Sequence, residues 1–108
     1  MTDRKLLELA AKAAGIGLIA WTKFFDEWKF ACNPCGEPWN PLIDDGDALR
    51  LLVLLGIEIR HVNGAAHAGR ANHFWCTECW FPDGDKSKAT RRAIVRAAAE
   101  LAKQEVKV

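Results

Sequence analysis

The sequence contains no apolar run that approaches the roughly 20 residues a helix needs to span a bilayer. It also lacks a large net charge, because the formal net charge of its 108 residues is +1 at pH 7. The lack of a membrane-spanning run predicts a protein without a membrane partner. The small net charge argues against general electrostatic binding of nucleic acid. Half of the residues are hydrophobic and 27% are charged. This composition excludes a disordered chain and predicts one domain, residues 1–108.

The first residues lack the features of a secretory signal. The segment from Met1 to Lys5 leads directly into a charged amphipathic stretch, without an apolar core or a small-residue cleavage site. We therefore expect a cytoplasmic protein. Thiols are kept reduced in that compartment, so paired cysteines there favour metal binding over disulfides.

The four cysteines form two pairs of identical spacing, Cys32-x-x-Cys35 and Cys76-x-x-Cys79. Each pair follows an aromatic-rich segment, so each is predicted at the end of a strand. Two such pairs would supply the ligands of a tetrahedral zinc site, Cys32, Cys35, Cys76 and Cys79, with Zn–S bonds of about 2.3 Å. Because four sulfur ligands leave no open position, this Zn2+ would be structural. Unliganded buried thiols and disulfides are the alternatives.

The apolar pattern predicts an α+β fold with the order α-ββ-α-ββ-α, in which helices pack on a four-stranded antiparallel sheet and zinc clamps two strand ends. The helices are predicted at about 3–14, from Asp44 or Asp45 to Gly56, and at about 86–104. The middle helix is apolar nearly all round, which predicts that it is buried at the centre of the fold. Strands are predicted in the hairpin from Ile16 to Ala31, at 57–62, weakly at 65–71, and at 72–75.

Charged residues cluster in two places along the sequence. The acidic cluster Asp44, Asp45 and Asp47 is interpreted as the N-terminal cap of the middle helix, with a divalent-metal site as the alternative. The last helix is predicted to present a solvated basic face, including an ion-paired ladder of Arg92, Arg96 and Glu100. Phosphate contact is the alternative for its basic residues, which are Lys86, Lys88, Arg91, Arg92 and Arg96.

Three histidines, His61, His67 and His73, recur every six residues between the cysteine pairs. They invite comparison with His-Asn-His nucleases, but no acidic residue adjoins any of them to complete a metal-dependent site. They are interpreted as exposed polar residues, with a histidine in place of one cysteine in the zinc shell as an alternative. A core position, or a collar over the metal, is predicted for the large aromatic residues, with an exposed platform as the alternative: Trp39, Trp75, Trp80 and Phe81.

Two segments of the chain, Trp39 to Leu51 and Ala89 to Glu100, resemble a widespread family of small phage and prophage proteins of unknown function. The residues from Leu6 to Gly15 also fit the first helix of that family. The resemblance implies a setting in a phage-infected host, in the bacterial cytoplasm. It implies no reaction and no catalytic residues, and the cysteine pairs are not part of the family pattern.

These observations predict a small non-enzymatic phage or prophage accessory protein that binds a host or phage protein and inhibits or redirects it. A nucleic-acid-binding zinc module that uses the basic last helix is the alternative, and a metal-dependent nuclease is a further one. No cofactor other than Zn2+ is expected. The alanine-rich last helix leaves room for a homodimer contact.

Overall fold

The computed structural model describes residues 2–24, 27–32, 38–70, 74–82 and 84–106, with side chains at 2–17, 21, 38–70, 74–82 and 84–103. Three helices, α1, α2 and α3, span Asp3–Ala14, Asp45–Leu55 and Lys86–Val106. The strands β1 to β6 span Leu18–Phe24, Glu27–Cys32, Pro38–Trp39, Glu58–Val62, Ala65–Arg70 and Phe74–Cys79. The α+β class and the three helices are therefore confirmed. None of the described helices is both long enough and apolar enough to cross a membrane.

The described strands form two three-stranded antiparallel sheets, β1-β2-β3 and β4-β5-β6, and the prediction of one four-stranded sheet is wrong. Pro38 and Trp39 add a short third strand to the first hairpin, where they pair with Ala31 and Phe30. Strand β5 has low intrinsic β propensity, yet it is the central strand of the second sheet. Its residues Ala66 and Ala68 are fully buried, so close packing against a helix outweighs propensity there.

The predicted ends of α1 and α2 are confirmed by their caps. The Thr2 hydroxyl accepts the Lys5 N–H at 3.2 Å, and α1 ends at Gly15, which has a left-handed backbone. A carboxylate oxygen of Asp44 accepts the Asp47 N–H at 2.8 Å, and α2 ends at Gly56, which is also left-handed. Local sequence alone therefore determines where these two helices begin and end.

The central helix of the fold is α3. It packs against α1 on one side and against β5 and β6 on the other. Ile94, Ala97, Ala98 and Leu101 are buried and form its inward-facing stripe. Ala99 and Ala102 are buried as well, so these alanines of α3 are covered within the chain. Small side chains allow α3 to lie close to both neighbours.

Candidate functional site

Helix α2 has one buried side and one exposed apolar side. Ala48 and Leu51 are buried, but Leu49, Val53 and Leu54 are 60–68% exposed. The prediction that α2 is buried at the centre is therefore wrong. The cause is that α3 already covers the sheet, so α2 packs mainly against α3 along one side. An 11-residue helix that is apolar nearly all round is then left with large aliphatic side chains in water.

An open groove of ≈ 430 Å³ runs beside the exposed side of α2, between α2, β4 and the first half of α3. Its floor is apolar and includes Ala48, Leu49, Leu52, Ile59 and Ile94. Polar groups lie at its rim, where His61 and Lys86 come from β4 and the start of α3. We call the groove floor, together with the exposed side chains of Val53 and Leu54, the α2 surface.

The segment before α2 fixes the position of the helix through buried polar contacts. The Asp47 carboxylate is buried and accepts the Asn40 N–H at 2.9 Å, while its other oxygen accepts a hydrogen bond from Arg50 at 2.7 Å. The Asn40 side-chain oxygen accepts the Leu42 N–H at 2.9 Å. The acidic cluster is therefore used for capping and for anchoring α2, in agreement with the capping interpretation.

Arg91 connects the two walls of the groove. Its Nε donates to the Leu42 carbonyl at 2.9 Å, and its Nη1 lies 2.7 Å from an Asp45 carboxylate oxygen. One wall includes Asp45, Ala48 and Leu49 of α2, and another includes Thr90, Arg91 and Ile94 of α3. The segments 39–51 and 89–100 are separated by 37 residues of chain, and the fold brings residues of both segments together at this groove.

The basic face of α3 is largely paired within the chain. Arg92 lies 2.9 Å from an Asp3 carboxylate oxygen and also faces Glu78 of β6, and Arg96 donates to the Thr77 carbonyl at 2.9 Å and pairs with Glu78. The predicted solvated ladder is therefore wrong for these two arginines, because their partners come from α1 and β6. A contiguous basic face that extends from α3 onto β6 is not formed, since the facing strand supplies a carboxylate.

The histidines that the structure describes do not converge. The His61 Nε2 lies 2.8 Å from the Thr90 hydroxyl, and the ring packs edge-on against Trp80 with centroids 5.1 Å apart. His67 bonds the Thr77 hydroxyl at 2.9 Å on the opposite face of the sheet. Neither forms an ion pair with a carboxylate among the residues described here. His73 lies outside the described residues, so the nuclease alternative gains no support.

The cysteines of β6 point to opposite faces of its sheet. Cys76 pairs with Ala68 and is buried, whereas Cys79 pairs with Ala65 and is exposed. Residues three apart in a paired strand alternate in direction, while zinc ligands must approach one point at about 2.3 Å. Burial also raises the pKa of the Cys76 thiol, which disfavours the thiolate that binds metal. In the paired strand β6, the two thiol groups therefore lie on opposite faces of the sheet.

The remaining two cysteines lie where the structure gives no side chains, since the Cys32 side chain and all of Cys35 are outside the described part of the chain. Within that described part, no group of three or more His, Cys, Asp or Glu side chains could hold a metal ion. The four-thiolate site with Cys32, Cys35, Cys76 and Cys79 therefore stays a prediction.

Serine substitutions in β6 distinguish a paired strand from a zinc knuckle. We expect Cys79→Ser to change the free energy of unfolding by less than about 0.5 kcal/mol, because the side chain is exposed. We expect Cys76→Ser to cost about 1–3 kcal/mol, because it replaces a buried thiol with a hydroxyl that loses its contact with water. Urea unfolding of protein purified without added metal, with elemental analysis for zinc, gives both values. A loss of several kcal/mol in Cys79→Ser, together with loss of one bound zinc, would establish the zinc site instead.

The large aromatic residues divide between core and surface. Trp39 is buried, and Trp80 is partly buried between His61 and Lys86. Trp75 is exposed on the outer face of the second sheet, where the Arg60 guanidinium lies 5.1 Å from its ring centroid, and Phe81 is exposed. The aromatic residues therefore form neither one platform nor one core cluster.

Comparison of the chain with protein-family models, curated protein sequences and solved structures gives no match. The resemblance to phage proteins therefore stays a prediction.

Proposed function

We propose that this protein is not an enzyme and acts by binding another protein through the α2 surface. The observation that carries the proposal is the exposure of Leu49, Val53 and Leu54 beside a groove with an apolar floor. Burying a large aliphatic side chain contributes about 1.5–3 kcal/mol of stabilising free energy. The free chain therefore lacks several kcal/mol that burial of these side chains would supply. Contiguous exposed apolar patches on small proteins mark sites of interaction.

The walls of the groove favour a helix as the bound element. Helices α2 and α3 satisfy their own backbone groups, so among the three elements that line the groove only β4, at the edge of its described sheet, could offer a row of N–H and C=O groups to an extended strand. A bound helix needs no such row, because its backbone bonds are internal. Leu49 and Val53 lie one helical turn apart, which matches apolar anchors spaced at i, i+3, i+4 and i+7 on a partner helix.

The partner is an amphipathic helix of a host or phage protein, and binding inhibits or redirects that protein in the host bacterial cytoplasm. The resemblance of residues 39–51 and 89–100 to phage proteins supports this setting, because these segments build the groove. Neither zinc nor nucleic acid is needed for the proposed function. The basic residues that would serve nucleic acid are paired at Arg91, Arg92 and Arg96.

Site-specific photocrosslinking in bacterial cells tests the proposal. We place a photoreactive phenylalanine analogue at position 53 and, as a control, at the exposed position 12 on α1. We expect position 53 to give one discrete adduct whose crosslinked segment, mapped by mass spectrometry, is an amphipathic helix of another protein. Adding Leu49→Gln should abolish the adduct.

Two results would contradict the proposal. One is an equal set of adducts from positions 53 and 12, which would show that the α2 surface is not selective. The other is an adduct at position 53 with a second copy of the chain, which would show that the surface mediates self-association.

A further inference from the structure

An arginine from the second sheet holds the C-terminal end of α2. The Leu55 carbonyl is one of the last four of that helix, and such carbonyls have no partner within a helix. Arg70, the last residue of β5, donates to this carbonyl from Nη2 and, at 3.1 Å, from Nε. The last turn of α2, residues 52–55, is entirely aliphatic. The guanidinium from β5 therefore supplies the positive charge that favours the negative end of the helix dipole.

An arginine from α3 holds the other end of the same helix. Arg91 donates from Nε to the Leu42 carbonyl at 2.9 Å and from Nη1 to the carboxylate of Asp45, the first residue of α2, at 2.7 Å. The Arg91 side chain is 17% exposed and Leu42 is buried, so the bond between them is shielded from water. The planar guanidinium forms bonds of fixed direction. Both ends of α2 are therefore attached to neighbouring elements by directional bonds.

Packing alone fixes the position of α2 less completely. The helix packs mainly against α3 along one side, and the side that carries Leu49 and Val53 is exposed. Hydrophobic contact is non-directional, so packing on one side restrains rotation and sliding of a helix less than directional bonds at its two ends do. The groove lies between α2, β4 and α3, so its width depends on the position of α2.

We infer that Arg70 and Arg91 are positioning residues, which hold α2 in its binding position in the free chain, so that the α2 surface is preformed. This inference rests on the proposed function and concerns the control of that same site. A preformed surface avoids the cost of ordering on binding. If α2 took several positions, only the competent fraction of molecules could bind, and the affinity would fall by that fraction. The loss would be in the association rate constant, because the complex itself is unchanged.

Binding kinetics test the inference. The probe is the partner segment identified by crosslinking at position 53, made as a fluorescent peptide and mixed with the chain by stopped flow. In Arg70→Gln/Arg91→Gln we expect the association rate constant to fall by about tenfold, while the dissociation rate constant changes by less than about twofold. Arg91→Lys keeps the charge but not the forked guanidinium, and it should lower the association rate constant by about threefold.

Arg92→Gln is the matched control. This residue is also an arginine of α3, but its carboxylate partners are Asp3 of α1 and Glu78 of β6. Because neither partner belongs to α2, the substitution should change each rate constant by less than about twofold.

Distances within the free chain test the same point without a partner. Spin-labelled unnatural residues at the exposed positions 53 on α2 and 12 on α1 avoid the four cysteines. We expect double electron–electron resonance to give one narrow distance distribution for the wild type and for Arg92→Gln, and a broader one for Arg70→Gln/Arg91→Gln. Adding the peptide should narrow the broader distribution, because the complex holds α2 in one position.

The outcomes separate this inference from the proposed function. A narrow distribution and an unchanged association rate constant in Arg70→Gln/Arg91→Gln would refute the positioning role and leave the α2 surface as the binding site. A rise in the dissociation rate constant alone would show that the arginines contact the partner, which also refutes positioning. If the double variant does not fold, an unchanged association rate constant in Arg91→Lys refutes it. If position 53 gives no adduct with another protein, both the proposed function and this inference are refuted.

Discussion

Leu51→Ala should lower the free energy of unfolding by about 2–5 kcal/mol, whereas Leu54→Ala should change it by less than about 0.5 kcal/mol. The two leucines lie three residues apart on the same helix, so the change in helix propensity is the same. Their environments differ: Leu51 is 2% exposed and Leu54 is 61% exposed. Truncation at 51 leaves a cavity in the core, and truncation at 54 removes atoms that are mostly in water.

Equilibrium unfolding in urea, followed by tryptophan fluorescence and by circular dichroism, measures both values. The difference between the two variants is the informative quantity, because errors of extrapolation largely cancel between them. Equal losses at 51 and 54 would show that α2 is buried on both sides. The α2 surface would then not exist in the free protein.

The elements predicted correctly are those that depend on neighbouring residues along the chain. The ends of α1 and α2 are local features, fixed by the caps at Thr2, Gly15, Asp44 and Gly56. The hairpin partners β1 and β2 are likewise adjacent in sequence. In each case a few side chains specify the backbone without help from the rest of the fold.

The partial exposure of α2 could not be predicted from its own residues, because another helix, α3, occupies the central position of the fold. Both α2 and α3 are apolar enough to be buried, and α2 has the larger side chains. Helix α3 occupies the centre because its alanines fit closely against Ala66 and Ala68 of β5, which are themselves small. That match between α3 and β5 is a property of distant residues, and periodicity within α2 contains no information about it.

The sequence predicts a strand at 72–75 with the second cysteine pair at its end, because that pair follows an aromatic-rich segment. Strand β6 instead continues through Cys79, and its partner β5 pairs with it along the whole length. Thr77 is compatible with a strand, and no glycine follows Cys79 to form a tight turn. Strand β6 extends to Cys79 because β5 pairs with it there, and the low β propensity of β5 gave only a weak indication of that pairing.

Replacing the exposed apolar side chains of α2 should abolish binding without destabilising the fold. In Leu49→Gln/Val53→Gln the new side chains are polar and suit a helix, and both positions are exposed in the free chain. We expect the free energy of unfolding to change by less than about 1 kcal/mol. We expect the Kd for the partner helix to rise by at least about 30-fold, because losing two apolar anchors costs about 2 kcal/mol or more.

The most direct test of the α2 surface is the Kd of the crosslinked partner segment, measured as a synthetic peptide by fluorescence anisotropy. The matched control is Val62→Gln, which replaces another exposed valine on the outer face of β4. The α2 surface predicts a rise of at least about 30-fold in Leu49→Gln/Val53→Gln and less than about twofold in Val62→Gln. Equal effects in the two variants, or a larger effect in Val62→Gln, would contradict it.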